Sequence, residues 1–453
     1  MSKNICVLAL SAIADDPRVR RQADAFFRKD WCVTAVGLPG AKSQSPDWPI
    51  LTRSDDPNGA ATSHIPASTE RSAFRKRLLS LFRVTTKPFF ANEGEHQLFE
   101  RRIKRIVGHT IYVLISVQKS ARQKANGKIM RQKTREQIFW DRSPAVHDLY
   151  RCAEQVGADV WLANDWTMLP VAARLASKNG GIYGYDTHEF ATEEYAENRA
   201  WRLFQRPIVS AIEKGYIAGA VVVSAVSSGI AERLDALYDL KRPSLTIRNT
   251  PIYQEVPFRP TRRDRIDVLY HGIVVPNRGL EAAVESVSLW RPDFTLTIRG
   301  PENPEFTPVL RARIAALGLQ DRVRLVPAVP MTALVEEAAA SDIGFFALPG
   351  HSLHNEFALP NKFFEYVMAG LALCTTDLPE MARLIHKYDL GLTIGAVEPV
   401  AIAAAINALD PDRIDRFKRN ALAAANELCW ERESERLVAA YDGALVAARA
   451  KTS

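Results

Sequence analysis

The sequence predicts an α/β chain built from two Rossmann-like, doubly wound domains, and three observations lead there. Short apolar runs alternate with helix-periodic segments along both halves of the chain. Strands that alternate with helices imply right-handed crossovers and therefore parallel sheets. At 453 residues, with 47% hydrophobic and 25% charged residues, the chain has the make-up of an ordinary globular protein and is too long for a single core.

In chain order, the first half offers strands at ICVLAL (5–10), CVTAVGL (32–38), DVWLAN (159–164), GIYGYD (181–186), GAVVVSA (219–225) and SLTIRN (244–249). The basic-then-apolar start is read as the first buried strand and not as a signal peptide, because it leads straight into the helix start DDPRVRRQADAF. Asp16 suits the N-cap of that helix and Pro17 its first turn. Arg18, Arg20 and Arg21 then place three cations against the helix dipole. Either an anion binds there or the arginines are solvated. Residues from about 55 to 143 fit no strand–helix unit. From Arg71 to Arg142 there are 18 Lys and Arg against 5 Asp and Glu, a net +13, so within a total of +7 the remainder is about −6.

The junction falls near PIYQEVPFRPTRRDR (251–265). The second half then offers strands at IDVLYH (266–271), FTLTIRG (294–300), VRLVPA (323–328), IGFFAL (343–348), ALCTT (372–376) and GLTIG (391–395), separated by helical segments. The end of the chain, CWERESERLVAAYDGALVAARA (429–450), reads as one helix able to pack back on the first domain. The five cysteines are scattered, with no CxxC and no metal-ligand spacing, which suits a reduced, cytosolic protein. No apolar stretch approaches the ~18 residues that span a bilayer.

Candidate functional residues lie where these strands end, since open α/β sheets bind ligands beyond their carboxyl edges. THEF (187–190) puts His188 and Glu189 at such an edge; His188 either serves a sugar hydroxyl or phosphate or is a structural histidine. Asp165 in ANDWTMLP sits similarly, or caps the following helix. YHGIVVPNRGLEAA (270–283) supplies Gly272, Asn277 and Arg278 beside a helix start. In ALPNKFFEYVMAG (358–370), Pro360 suits the first helical position, with Asn361 and Lys362 in the first turn and Glu365 on the same face. Lys362 and Glu365 are either a solvent-exposed pair or parts of a nucleotide-diphosphate grip, with Arg278 and Lys362 on the diphosphate and Glu365 on the ribose diol. The chain has no GxGxxG with a following acidic residue and no GxxxxGK[ST], which argues against a nicotinamide cofactor and P-loop phosphoryl transfer.

Taken together, DPRVRRQADAF, NDWTMLPVAARLA, YDTHEF, IRNTP, YHGIVVPNRGLE, ALPNKFFEYVMAGLAL and CWERESERLVAAY resemble bacterial glycosyltransferases of the GT-B fold, similar to glycosyltransferase family 4. The resemblance covers most of the chain except residues 55–143. It implies transfer of a sugar from a nucleotide-diphosphate sugar with retention of configuration, and a role in bacterial surface polysaccharide synthesis. It implies an N-terminal acceptor domain over 1–255 with the basic insertion, a donor-binding domain over 256–428, and a terminal helix over 429–453. It places Glu365 on the ribose, Arg278 near the diphosphate and His188, the catalytic candidate, beside the donor sugar. Lys362, Asn361, Asn277 and Gly272 complete the donor side; Asp16, Arg18, Asp165 and Glu189 are assigned to the acceptor. No metal and no cofactor are expected.

Two departures from the family pattern stand out. Phe357 replaces a glutamate common eight positions before Glu365, and Ile273 replaces an arginine common five positions before Arg278. The insertion interleaves Arg and Lys with Phe, Leu and Ile, which suits an anionic membrane surface bound through residues 71–142, or else a solvated helical pair; no nucleic-acid reading motif is present. A cytoplasmic enzyme, peripheral on the inner face of the membrane and acting on a glycan or lipid-linked acceptor, is the expectation. A nucleotide-sugar epimerase of the same fold and a non-catalytic GT-B partner protein are the alternatives.

Overall fold

The computed structural model describes residues 2–41, 43–52 and 134–452. The basic insertion therefore lies outside the described residues, apart from the helix Arg135–Arg142 at its end.

Among the described residues, β1 (Asn4–Leu8), β2 (Cys32–Val36), β3 (Ile50–Leu51), β4 (Val160–Asn164), β5 (Ile182–Thr187), β6 (Val223–Ala225) and β7 (Leu245–Thr246) form one parallel sheet in the order β3-β2-β1-β4-β5-β6-β7. A second parallel sheet contains β8 (Ile266–His271), β9 (Phe294–Arg299), β10 (Val323–Val326), β11 (Ile343–Phe346), β12 (Ala372–Thr376) and β13 (Gly391–Ile394), ordered β10-β9-β8-β11-β12-β13. Every strand expected from an apolar run is present, because helices cover both faces and leave no polar side to break the run. The added strand, β3, is two residues long at the sheet edge and has too little pattern to read. Each sheet reverses its order once, between β1 and β4 and between β8 and β11. Those two reversals open crevices at the carboxyl edges, and the candidate residues lie on the loops and helix starts that follow the strands there.

The helix Trp430–Thr452 contributes Trp430, Leu437, Val438 and Tyr441 to the same apolar cluster as Ile5, Val7 and Phe26. Phe26 and Tyr441 meet edge to face at 5.4 Å. The buried Glu433 accepts from Arg248 N and Nη1 at 3.1 and 2.9 Å, tying this helix to the segment after β7.

The two sheet domains also meet directly. Glu380, buried at the start of the helix Pro379–Tyr388, accepts from Ser228 N at 3.2 Å and Gly229 N at 2.9 Å. Those are free N–H groups at the start of the helix Ser228–Tyr238, where a carboxylate is favoured. Ser227 Oγ donates to Phe357 O at 2.9 Å, and Arg233 lies over the Phe357 ring at 4.9 Å. A Cβ at Gly229 would come within 2.3 Å of that ring, so only glycine lets Phe357 pack this closely. Phe357, which stands where the related pattern has a glutamate, is thus a buried interdomain packing residue.

Candidate active site

At the first sheet's reversal the central group is Asp186, fully buried at the end of β5. Arg18 donates to it from Nε at 2.7 Å and Nη2 at 2.6 Å, and Gln22 Nε2 donates at 2.8 Å. Arg18 is itself buried and gives Nη1 to Ile247 O at 2.9 Å. Burial works against the Asp186 anion, but the Arg18 charge more than offsets it and holds the carboxyl far below the usual range.

His188 leans on this pair. Its Nε2 is 3.1 Å from Asn164 Oδ1 and 3.3 Å from Asp186 Oδ2, and its Nδ1 is 3.6 Å from Asp165 Oδ2. Burial disfavours the imidazolium, yet Asp165 and Asp186 outweigh it and raise the histidine to about 9. Asp165 opens the helix Asp165–Asn179 with φ 62°, a left-handed conformation uncommon for a residue other than glycine. Its carboxyl is half-exposed to the cleft but walled in elsewhere, and burial pushes it up against the opposing pull of His188.

Across the cleft, Lys362 and Glu365 rise from the helix Asn361–Met368. Pro360 is its N-cap, one residue earlier than the sequence suggested, since φ −74° and ψ 152° leave it extended. The Lys362 ammonium sits over the rings of Tyr270 at 4.0 Å and Phe346 at 4.3 Å. Gly272 has φ +136°, and a Cβ there would lie 2.6 Å from Lys362 Nζ, so this glycine makes the seat possible. Burial first and Arg278 second lower Lys362 to about 7, against the pull of Glu365. Glu365 does not use Lys362 as an ion-pair partner: its Oε2 lies 2.7 Å from His271 Nε2, out of line for a hydrogen bond. Asn277 takes φ 65° in the turn that delivers Arg278, and the next helix begins at Leu280.

The two sides come together. Glu189 Oε2 lies 3.4 Å from His354 Nε2, and burial, then Glu194, raise Glu189 to about 7 while Arg278 acts against the shift. Burial and then Arg278 lower His354. Asn249, after β7, donates from Nδ2 to Asn361 Oδ1 at 2.6 Å.

The structure thus gathers His188, Asp165 and Glu189 on one side and Glu365, Lys362, Asn361, Arg278, Asn277 and Gly272 on the other. Two residues assigned to the acceptor are engaged within the protein itself. Arg18 is neither solvated nor free for a ligand, being locked on Asp186, and Asp16 is occupied as an N-cap, accepting from Arg18 N and Val19 N at 3.2 Å each. Arg20 and Arg21 are also held by protein, through Asp24 and Gln44 O and through Pro17 O and Thr250 O. Sequence reasoning passed over Asp186, His271, His354 and Asn249. His271 and Asp186 end strands, so the rule that singled out His188 could have reached them; Asn249 carried no such signal. Among the described residues no group of three His, Cys, Asp or Glu is placed to hold a metal ion.

Two Rossmann-like sheets facing across such a cleft define the GT-B architecture, and the comparisons with known proteins agree. Residues 265–411 match the family model described as Glycosyl transferases group 1. A D-inositol 3-phosphate glycosyltransferase from Nocardia farcinica is 25% identical over 344 residues, 70% of this chain and 70% of its own length. One from Acidothermus cellulolyticus is 28% identical over 193 residues, 40% of this chain and only 42% of that relative's length. Among solved structures, sucrose-phosphate synthase from Thermosynechococcus elongatus superposes with TM-score 0.66 at 14% identity, covering 98% of this chain and 100% of that one. Anabaena HepE in complex with UDP and glucose gives TM-score 0.60 at 12% identity, covering 97% and 100%. The chain has the GT-B fold, and its second domain carries the group 1 glycosyltransferase pattern, as the sequence resemblance implied.

Proposed function

We propose that this protein transfers a sugar from a nucleotide-diphosphate sugar to a glycan or lipid-linked acceptor, with retention of configuration, in bacterial surface polysaccharide synthesis. The observation that carries this reading is the convergence of Lys362, Arg278 and Glu365 at one sheet edge opposite a charged His188. Arg278 and Lys362 offset the diphosphate charge, and Glu365 accepts from the ribose hydroxyls. Ile273 leaves the diphosphate one cation short of the related pattern, and Lys362, seated at Gly272, supplies it. His188 donates to a sugar hydroxyl or to the leaving phosphate oxygen, where negative charge grows as the bond to the anomeric carbon breaks. The acceptor oxygen bonds that carbon on the same face, and its proton passes to the departing diphosphate.

The test is NMR of the products from a panel of UDP-, GDP- and ADP-sugars with lipid-linked and soluble glycan acceptors. A new glycosidic bond with the donor's anomeric configuration, formed in the presence of EDTA, is the expected result. Inversion at the anomeric carbon, or an epimerised nucleotide sugar without transfer, would overturn the reading.

The lysine gives a pH prediction. An ammonium that titrates at about 7 in the free protein is mostly neutral at about pH 8, and a bound diphosphate favours its charged form. Nucleotide binding at about pH 8 should therefore take up close to one proton, and at about pH 6 almost none. Calorimetric enthalpies that do not depend on buffer ionisation at pH 8, or uptake that survives in Lys362→Met, would contradict this.

Membrane attachment through residues 71–142 rests on the composition of that segment. No helix among the described residues is long and apolar enough to cross a membrane. Co-sedimentation with liposomes should require anionic lipid and weaken with salt, since surface attraction is screened over about 8–10 Å at physiological ionic strength. Indifference to anionic liposomes at low salt would point to a soluble acceptor.

A further inference from the structure

A chain of side-chain hydrogen bonds with a fixed direction crosses from the first domain into the donor side of the cleft. Arg21, on the helix Pro17–Phe27, gives Nε to Pro17 O at 2.9 Å and Nη1 to Thr250 O at 2.5 Å, and its Nη2 donates to Asn249 Oδ1. The guanidinium also faces the Trp430 ring at 5.7 Å. A guanidinium has donors and no acceptor, so the oxygen of the Asn249 amide must be the atom that faces it. The Asn249 Nδ2 is then the atom that faces Asn361, and Asn361 Oδ1 must accept it, at 2.6 Å. Both amide orientations are settled by the arginine, which removes the usual ambiguity between amide oxygen and nitrogen. What remains of Asn361 is its Nδ2, one turn before Glu365 and next to Lys362, with no acceptor for it among the described residues.

We infer that Arg21 and Asn249 are positioning residues that force Asn361 to present its amide N–H2, and not its oxygen, to the diphosphate of a bound nucleotide. The inference rests on the donor-site reading given above. A phosphate oxygen accepts hydrogen bonds only, whereas a ribose hydroxyl both donates and accepts and would tolerate either face of an amide. The fixed polarity is therefore matched to phosphate. It also gives the first domain a share in donor binding, because the amide is held correctly only while Asn249 reaches across.

The test is calorimetry with UDP, GDP and ADP on the full-length protein and on Asn249→Ala, Asn249→Asp and Glu365→Ala, with thermal unfolding of each. Asn249→Ala frees Asn361 to turn and should weaken the preferred nucleotide roughly twofold to threefold. Asn249→Asp keeps the bond to Arg21 but can only accept, so it draws Asn361 Nδ2 away and should weaken binding at least tenfold without loss of thermal stability. That loss should persist at about 0.5 M salt, where an added charge alone would be largely screened. A merely structural Asn249 gives the reverse order, Asp milder than Ala, and that order overturns the inference; so does an Asp effect that vanishes with salt. If Glu365→Ala loses affinity while both Asn249 variants bind normally, the donor site stands and the relay falls. If the unmodified protein binds none of the three nucleotides, both fall.

Discussion

Replacing Asp186 with alanine should destabilise the protein by about 3–5 kcal/mol, the range for removing one partner of a buried ion pair. Arg18 would be left buried with its Nε and Nη2 unpaired, and Gln22 and His188 would lose the same acceptor. Against a typical total of ~5–15 kcal/mol, that is enough to lower the folded population at physiological temperature. Because the folded carboxyl titrates below its unfolded value, its stabilising contribution is present above about pH 4 and is lost only in stronger acid. Chemical denaturation of Asp186→Ala is the check; a loss under about 1 kcal/mol would mean that Arg18 finds another partner, against the geometry described.

His188→Ala should reduce turnover by roughly a hundredfold, the scale of removing one donor aimed at developing charge, while nucleotide affinity stays near normal. At neutral pH the imidazole is charged, so turnover should hold through pH 7–8 and fall as the pH rises through about 9. The same shift affects stability. A folded pKa of about 9 against about 6.5 in the unfolded chain gives a contribution that is complete below about pH 6.5 and lost as the pH rises through 9. Steady-state kinetics and a pH profile of the wild type separate the two effects. Parallel loss of stability and turnover in His188→Ala would make the histidine a structural prop for Asp186.

Much of this architecture is readable from the sequence for a physical reason. Parallel strands buried on both faces must be nearly continuous apolar runs, so β4 (VWLAN) and β12 (ALCTT) stand out without any partner in view. Strand ends are equally visible, which is why His188, Arg278, Lys362 and Glu365 stand out as candidates. What a single sequence cannot show is pairing at a distance. Arg18 reads as a surface cation on its own helix, and only the fold brings it to Asp186, 168 positions away. Helical spacing matches Glu365 to Lys362, yet β8 brings His271 closer, and Tyr270 and Phe346 draw the lysine aside. The amides of Asn249 and Asn361 meet only because the two domains do.

The central claim, a nucleotide-diphosphate grip built on Glu365, Lys362 and Arg278, is tested most directly by calorimetric titration of UDP, GDP and ADP into the wild type and Glu365→Ala. The account predicts that the wild type binds at least one of them. It also predicts that the folded variant loses about 1.5–3 kcal/mol of that affinity, the value of hydrogen bonds to a charged group. A folded Glu365→Ala that binds the nucleotide as tightly as the wild type would contradict it.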